Sequence, residues 1–368
     1  MDRSVNRMIW IFTLLIVGMG LVTLYSAAYQ NVRVPHKVFY DQVSCAVTGF
    51  ILMFVLSRID YRRFYDLAYI FYGANVVLLV IVLAGGRNAL GATRWLEIGG
   101  ISFQPSELAK LGLILALGRY FSDNRPSIAF NFFSNIPVLF KDLMLPLAIT
   151  GVPMLLIFKQ PDLGSALLFF GIFLIMLFVS GIRYRYFLGF CLLCLSVAPF
   201  GWHVLKAYQK DRLLVFLNPN IDPLGAGYTI IQSRIAIGSG QVFGKGWLAG
   251  TQNQLNFLPE RHTDFIFSVV GEEWGLLGAL FLLACYWGLI HCGLKISGQV
   301  KDQFGTQVAI GIVGVLTLQV VINMGMVLGL LPVVGLTLPL LSYGRTSFMF
   351  FMITLGFLLN LSKKRTVF

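Results

Sequence analysis

Ten blocks of apolar residues, each about twenty long, run along this chain from one end to the other. A block of that length is what a helix needs to cross the ~30 Å hydrocarbon core of a bilayer. They cover 9–28, 38–56, 67–84, 106–122, 140–158, 162–180, 186–203, 265–291, 307–330 and 343–361. Backbone polar groups inside hydrocarbon must be satisfied within the segment, so each block is expected to be helical. With 57% hydrophobic and 12% charged residues over 368 positions and a mean hydropathy of +0.79, a soluble fold is excluded. The expected architecture is an all-α polytopic membrane protein of about ten helices. Residues 1–368 form one domain without repeat or linker, and no small-residue cleavage site follows the first block, so that block stays in the membrane.

The basic residues set an orientation. With the amino terminus inside, the inner segments hold Arg3, Arg7, Arg58, Arg62, Arg63, Arg119, Arg125, Lys141, Arg183, Arg185, Lys295, Lys301, Lys363, Lys364 and Arg365. The short outer loops hold Arg33, Lys37, Arg87, Arg94 and Lys159. Short cytoplasmic loops collect Lys and Arg, so both termini are expected to be cytoplasmic. The net charge of +12 then reflects anchoring to an anionic inner leaflet and gives no reason to invoke nucleic acid. The five cysteines all lie in or at the ends of apolar blocks, where thiols behave as small hydrophobes. Even the Cys191-x-x-Cys194 pair lacks a redox turn around it.

The connections are unequal. Between the seventh and eighth blocks lies a loop of about sixty residues, roughly 204–264, placed outside by this topology and rich in aromatic residues and glycine. Tyr228 to Ile237 reads as a short amphipathic helix bearing Gln232, Ser233 and Arg234. The following GSGQVFGKGW run interleaves glycines with Lys245 and Trp247, a composition that can cradle phosphate or simply turn the chain. The loop ends in NQLNFLPERHTDFIFSVVGEEWG, which crowds Glu260, Arg261, His262, Asp264, Glu272 and Glu273 where water gives way to hydrocarbon. Each unpaired charge there costs several kcal/mol, so this is where the chemistry is expected.

Two readings compete at each of these ionisable positions. Asp264 opens a helix and can act as its N-cap, or it can be a partly desolvated carboxylate suited to a general base. Asp162, in KQPDLGS, faces the choice between N-cap and contact with a metal or substrate. Glu107 and Lys110 lie three apart on one helix face, either as an ion pair with a snorkelling lysine or as part of a cationic surface with Arg94 and Arg212. Glu272 and Glu273 cannot both face lipid, and Arg345 or Lys110 are the expected cationic partners.

The runs FQPSELAK, KQPDLGSA, DPLGAGYTIIQSRIAIGSG, GKGWLAGTQNQLNFLPERHTDFIFSVVGEEWG and LPVVGLTLPLLSYG resemble the SEDS family (shape, elongation, division and sporulation), its elongation members most closely. The resemblance implies a ten-helix enzyme of the bacterial cytoplasmic membrane that polymerises lipid II into glycan strands on the outer side for lateral elongation and rod shape. It implies undecaprenyl-linked glycan as ligand, a class B penicillin-binding protein as transpeptidase partner, and other elongasome membrane proteins nearby. Asp264 takes the family's catalytic aspartate position. Trp95, Glu107 and Lys110 match its fourth-helix motif, Arg212, Gln232, Ser233, Lys245 and His262 its outer-loop motifs, and Asp162 a helix-opening aspartate that would bind Mg²⁺ or Mn²⁺. The chain departs from the family at Gly344-Arg345 and at Gly240-Gln241.

No nucleotide-binding motif is present, so the energy for polymerisation must come with the substrate. A peptidoglycan glycosyltransferase is the expected function, with Arg94, Lys110 and Arg212 facing the diphosphate. The alternatives are a lipid II flippase and a non-catalytic scaffold for a transpeptidase.

Overall fold

A computed structural model describes residues 3–29, 35–89, 92–98, 101–124, 143–182, 184–203, 205–225 and 227–363. Arg33, Arg125, Lys141, Arg183, Lys364 and Arg365 of the charge argument lie outside the described residues, as does the start of the 140–158 block.

A helix stands at each of the ten apolar blocks. In chain order these are α1 (Arg3–Ala28), α2 (Pro35–Leu56), α3 (Arg62–Gly85), α4 (Pro105–Asp123), α5 (Leu145–Lys159), α6 (Leu163–Val179) and α7 (Tyr184–Val197, continued by a 3₁₀ turn to His203). Two shorter helices of the long loop follow, α8 (Ala207–Leu217) and α9 (Tyr228–Gly240), then α10 (Ile266–Ser297), α11 (Gln303–Val327) and α12 (Arg345–Leu361). Six of them, α1, α2, α3, α7 with its 3₁₀ extension, α10 and α11, are long and apolar enough to span a membrane. The chain is a membrane protein, and side chains such as Leu14, Ile51, Ile70, Leu195 and Trp287 give its outer faces an apolar coat for lipid.

The pairings place α11 near the middle, against α4, α6 and α10, with α1 and α9 on α10, α3 on α4 and α12 on α2. Closeness is set by small residues. A Cβ at Gly311 would press on Ile114 of α4, and one at Gly356 would reach the Met53 backbone of α2. Among the described residues, one departure from an all-helical chain is the three-stranded antiparallel sheet β1 (Arg87–Ala89), β2 (Ala92–Ile98) and β3 (Ile101–Phe103) that leads into α4. The apolar blocks carry no sign of it, because its strands are three to seven residues long.

Helix α10 is broken. Gly275 has φ 64° and ψ −159°, and the backbone of the Gly-rich run fills the gap. The amides of Lys245 and Gly246 donate to the Glu272 and Glu273 carbonyls at 2.9 and 3.0 Å. On the other side the amides of Leu276 and Leu277 donate to the carbonyls of Gln241 and Val242 at 2.9 and 3.1 Å. Both orphaned helix ends are thereby satisfied inside an apolar environment. A Cβ at Gly240, Gly244 or Gly275 would overlap backbone atoms across this junction, which is why the run needs its glycines. Of the two readings of this run, phosphate cradle or chain turn, the structure uses its glycines for a helix junction.

Candidate active site

Asp264 ends the long loop just before α10. The helix is entered through Phe265 with no side-chain cap, so Asp264 is not an N-cap, and Thr263 turns its hydroxyl to Glu260 instead. The carbonyls of His262, Thr263 and Asp264 are each taken by the α11–α12 side of the protein. They accept from the Tyr343 amide at 2.9 Å, the Ser342 hydroxyl at 2.7 Å and the Asn323 amide at 2.9 Å. Three successive backbone anchors leave the side chains of His262 and Asp264 to face elsewhere. Among the described residues no group hydrogen-bonds the Asp264 carboxylate, which is half-buried in its cleft. Gly335, at φ +73°, brings backbone to its side, with the position of an added Cβ 3.4 Å from Oδ2.

The other wall comes from three separate stretches. Asp162 caps α6, accepting from the Ser165 amide at 3.1 Å and the Ser165 hydroxyl at 3.0 Å. Arg94 on β2 donates to the carbonyls of Gln160 and Pro161, and its Nε lies 3.8 Å from Asp162 Oδ2. On α8, Tyr208 donates to the Pro161 carbonyl at 3.0 Å, and Arg212 stands over the Tyr208 ring and donates to the Val333 carbonyl at 3.2 Å. Two arginines and two aspartates from four distant parts of the sequence therefore share one cleft.

Burial is the largest influence on Asp264 and raises its carboxyl to about 6; Glu260 and Asp162 add to this, while Arg212 and Arg94 oppose it. His262 is pushed the other way, its imidazole lowered mainly by burial. A carboxylate that takes a proton near 6 is ionised at neutral pH yet basic enough to accept one in a reaction. Asp162 is different. With both oxygens taken by Ser165 and an arginine beside it, its donor set does not fit a divalent cation, and among the described residues no three His, Cys, Asp or Glu side chains converge.

The other expected site residues lie at varying depths. Trp95 follows Arg94 on β2 and so points to the opposite face of the strand. Lys110 is 1% exposed, pairs with Glu107 at 2.7 Å, reaches Gln319 at 3.2 Å and lies 4.4 Å from the Phe350 ring centre. It is a buried ion pair one layer beneath the cleft, connected to it through Gln319, whose amide donates to the Thr337 carbonyl at 3.2 Å. It does not form one surface with Arg94 and Arg212. Ser233 is buried and hydrogen-bonds Ser268 and the Val327 carbonyl, fixing α9 to α10 and α11, and Gln232 is half-buried beside it. Lys245 pairs with Glu272 at 2.8 Å. The expected partners of Glu272 are thus corrected: Lys110 has Glu107, and Arg345 pairs with Asp41 of α2. Tyr208, Asn323 and Gly335 went unnoticed in the sequence, since two of them act on backbone and the third through the absence of a side chain.

Residues 6–367 match the family model for FtsW, RodA and SpoVE, described as "Cell cycle protein". The chain is similar to the peptidoglycan glycosyltransferase MrdB of Escherichia coli strain K12, 40% identical over 97% of this chain and 93% of that protein. It is similar to a chain of a peptidoglycan synthase complex that coordinates polymerization and crosslinking, with TM-score 0.80, 35% identity and 96% of both chains covered. The crystal structure of the Thermus thermophilus rod shape determining protein RodA matches with TM-score 0.70 and 32% identity, over 96% of this chain and 95% of that one.

Proposed function

This chain belongs to the FtsW, RodA and SpoVE family and is a membrane peptidoglycan glycosyltransferase, and we propose that it polymerises lipid II with Asp264 as general base. The observation that carries the proposal is a carboxylate near 6, without a hydrogen-bond partner among the described residues, in a cleft with two arginines. Asp264 takes the proton from the 4-hydroxyl of the acceptor GlcNAc as that oxygen attacks the anomeric carbon of the lipid-linked MurNAc. The C1–O bond to the diphosphate breaks, and inversion gives a β-1,4 linkage. Arg212 and Arg94 face the charge that gathers on the departing undecaprenyl diphosphate, where fixed cations in a partly dry site count most.

Support for the sidedness comes from α4, which starts beside the cleft at Pro105 and carries Arg119 near its other end, about 20 Å away by helix rise. There Arg119 donates to the carbonyls of Tyr65 and Asp66 at the start of α3, the basic, inward side of the charge argument. With that side inward, our reading puts both termini in the cytoplasm and the cleft outside. The partner is a class B penicillin-binding protein that crosslinks the strands made here. A flippase would use the break in α10 as a path, but that break is filled by the chain's own backbone.

The test is polymerisation of purified lipid II by the reconstituted protein with its transpeptidase partner, the partner's serine blocked, in wild type and Asp264→Ala. Glycan from wild type and none from the variant is expected. Equal polymerisation by both overturns the assignment.

A further inference from the structure

Glu273 is the ionisable group that the reaction leaves unexplained. It is 2% exposed, in the segment of α10 between Asp264 and the break at Gly275, and beside Glu272. Two carboxylates here face one lysine. Lys245 sits on Glu272, which also accepts from the Thr251 hydroxyl at 3.2 Å and the Gln252 amide at 3.0 Å. Among the described residues no cation pairs with Glu273; its Oε1 accepts from the Ser26 hydroxyl of α1 and from Asn253 Nδ2 at 3.5 Å, and the Leu248 backbone also lies against the carboxylate. Arg261, on the same loop, is turned to the Ala27 carbonyl at 2.9 Å.

What remains is a matched pair of orphans. Glu273 Oε2 and Asn253 Oδ1 are both buried without a hydrogen-bond partner, and Asn253 is itself 2% exposed. Two acceptor oxygens left over on groups already joined through their other atoms need one hydrogen between them. A proton on Oε2 supplies it: the acid then donates to Oδ1 while Oε1 accepts from Nδ2, and both orphans are satisfied. The same proton removes the charge that Lys245 does not balance.

We propose that Glu273 is a protonated positioning residue, a neutral acid that exchanges two hydrogen bonds with Asn253 and so locks the outer loop into the break of α10. The loop leaves that lock at Asn253 and ends at Asp264, which begins the same helical segment that carries Glu273, so the lock fixes both approaches to the base. The charged groups around it are Glu272 on α10 and Lys245 and Arg261 on the loop, while α1 presents Ser26. The effect on turnover rests on Asp264 being the base; the protonation does not.

Infrared difference spectra of the full-length reconstituted protein, wild type against Glu273→Gln at pH 8, test the proton directly, since Asp264 is ionised there. A protonated-carboxyl C=O band in wild type that is absent from Glu273→Gln is expected, and its absence from wild type overturns the proposal. Glu273→Gln reproduces the neutral acid and should keep most polymerisation, with alkaline loss of activity shifted or abolished. Glu273→Ala and Glu273→Asp should lose on the order of tenfold in kcat with KM little changed. A Gln variant as impaired as the Ala variant, or a sodium-dependent thermal stability that Glu273→Gln abolishes, would show an ionised carboxylate or a bound cation instead. Should Asp264→Ala prove active, the infrared and thermal results still decide the state of Glu273.

Discussion

The Asn323 amide nitrogen donates to the Asp264 carbonyl at 2.9 Å and to the Leu336 carbonyl at 2.6 Å, joining Asp264 to the irregular stretch that carries Gly335. Asn323 is fully buried on α11, so one side chain sets the distance between two walls of the cleft. Asn323→Leu leaves both carbonyls without that donor, a cost of about 1–3 kcal/mol each for a buried group. The expected outcome is a kcat lower by on the order of tenfold or more, with KM changed less, read by lipid II polymerisation.

Asp264 accepts a proton near 6, so kcat/KM should fall as pH drops through that value and reach about a tenth one unit below it. Its effect on stability has the opposite sign. The folded carboxyl lies above its ordinary 3.8, so between that value and about 6 the folded state binds more protons than the unfolded, and stability rises as pH falls through this window. Above it the buried charge costs on the order of 2–3 kcal/mol. Asp264→Asn should therefore melt higher than wild type at pH 8, with the difference closing below pH 4, while losing activity throughout.

Arg212 opposes the rise at Asp264 more than Arg94 does. Removing its charge with Arg212→Gln should move the acid limb of the pH–activity profile upward, and Arg94→Gln should move it by less. Both should also lower kcat under the proposed mechanism, which sets each of them against the leaving diphosphate. An acid limb unmoved in Arg212→Gln would separate that arginine from the base.

How much of this was legible beforehand depended on whether a residue acts through its side chain. Among the described residues each apolar block holds a helix, because the hydrocarbon thickness sets the length of an apolar run directly. Asp264 and Asp162 stood out as acids opening apolar blocks, Arg94 and Arg212 as cations of the outer connections, and the fold brings the four together. The partner of Glu272 was expected on another span, because nothing local in the sequence says that α10 breaks at Gly275 to receive the Gly-rich run and its Lys245. Pairings such as Lys245 with Glu272, or Asn323 with two carbonyls, are properties of the assembled fold.

Gly244 tests that junction. Its φ of +80° is one that a side chain rarely adopts, and a Cβ there would overlap the Glu273 carbonyl. Gly244→Ala should destabilise by several kcal/mol when strain and the lost helix-end hydrogen bonds combine, whereas the exposed Gly238, with open space around it, should tolerate alanine within about 0.5 kcal/mol. Thermal unfolding in detergent compares the two.

The buried Lys110–Glu107 pair makes the last prediction, and it separates structure from chemistry. Lys110 has a carboxylate, an amide oxygen and an aromatic face as neighbours, and among the described residues that arrangement connects to the cleft through Gln319 and Thr337. Removing one partner strands the other charge inside the protein, which costs about 3–5 kcal/mol, whereas replacing both by apolar groups of similar size is often nearly neutral. Lys110→Met should thus unfold the protein at markedly lower temperature, and Lys110→Met with Glu107→Leu should recover most of the loss. If the double variant is stable and still polymerises lipid II, the pair serves the fold. If it is stable and inactive, the ammonium acts on the cleft through Gln319, and Gln319→Leu, which cuts that path and leaves the ion pair, should then lower kcat in the same way.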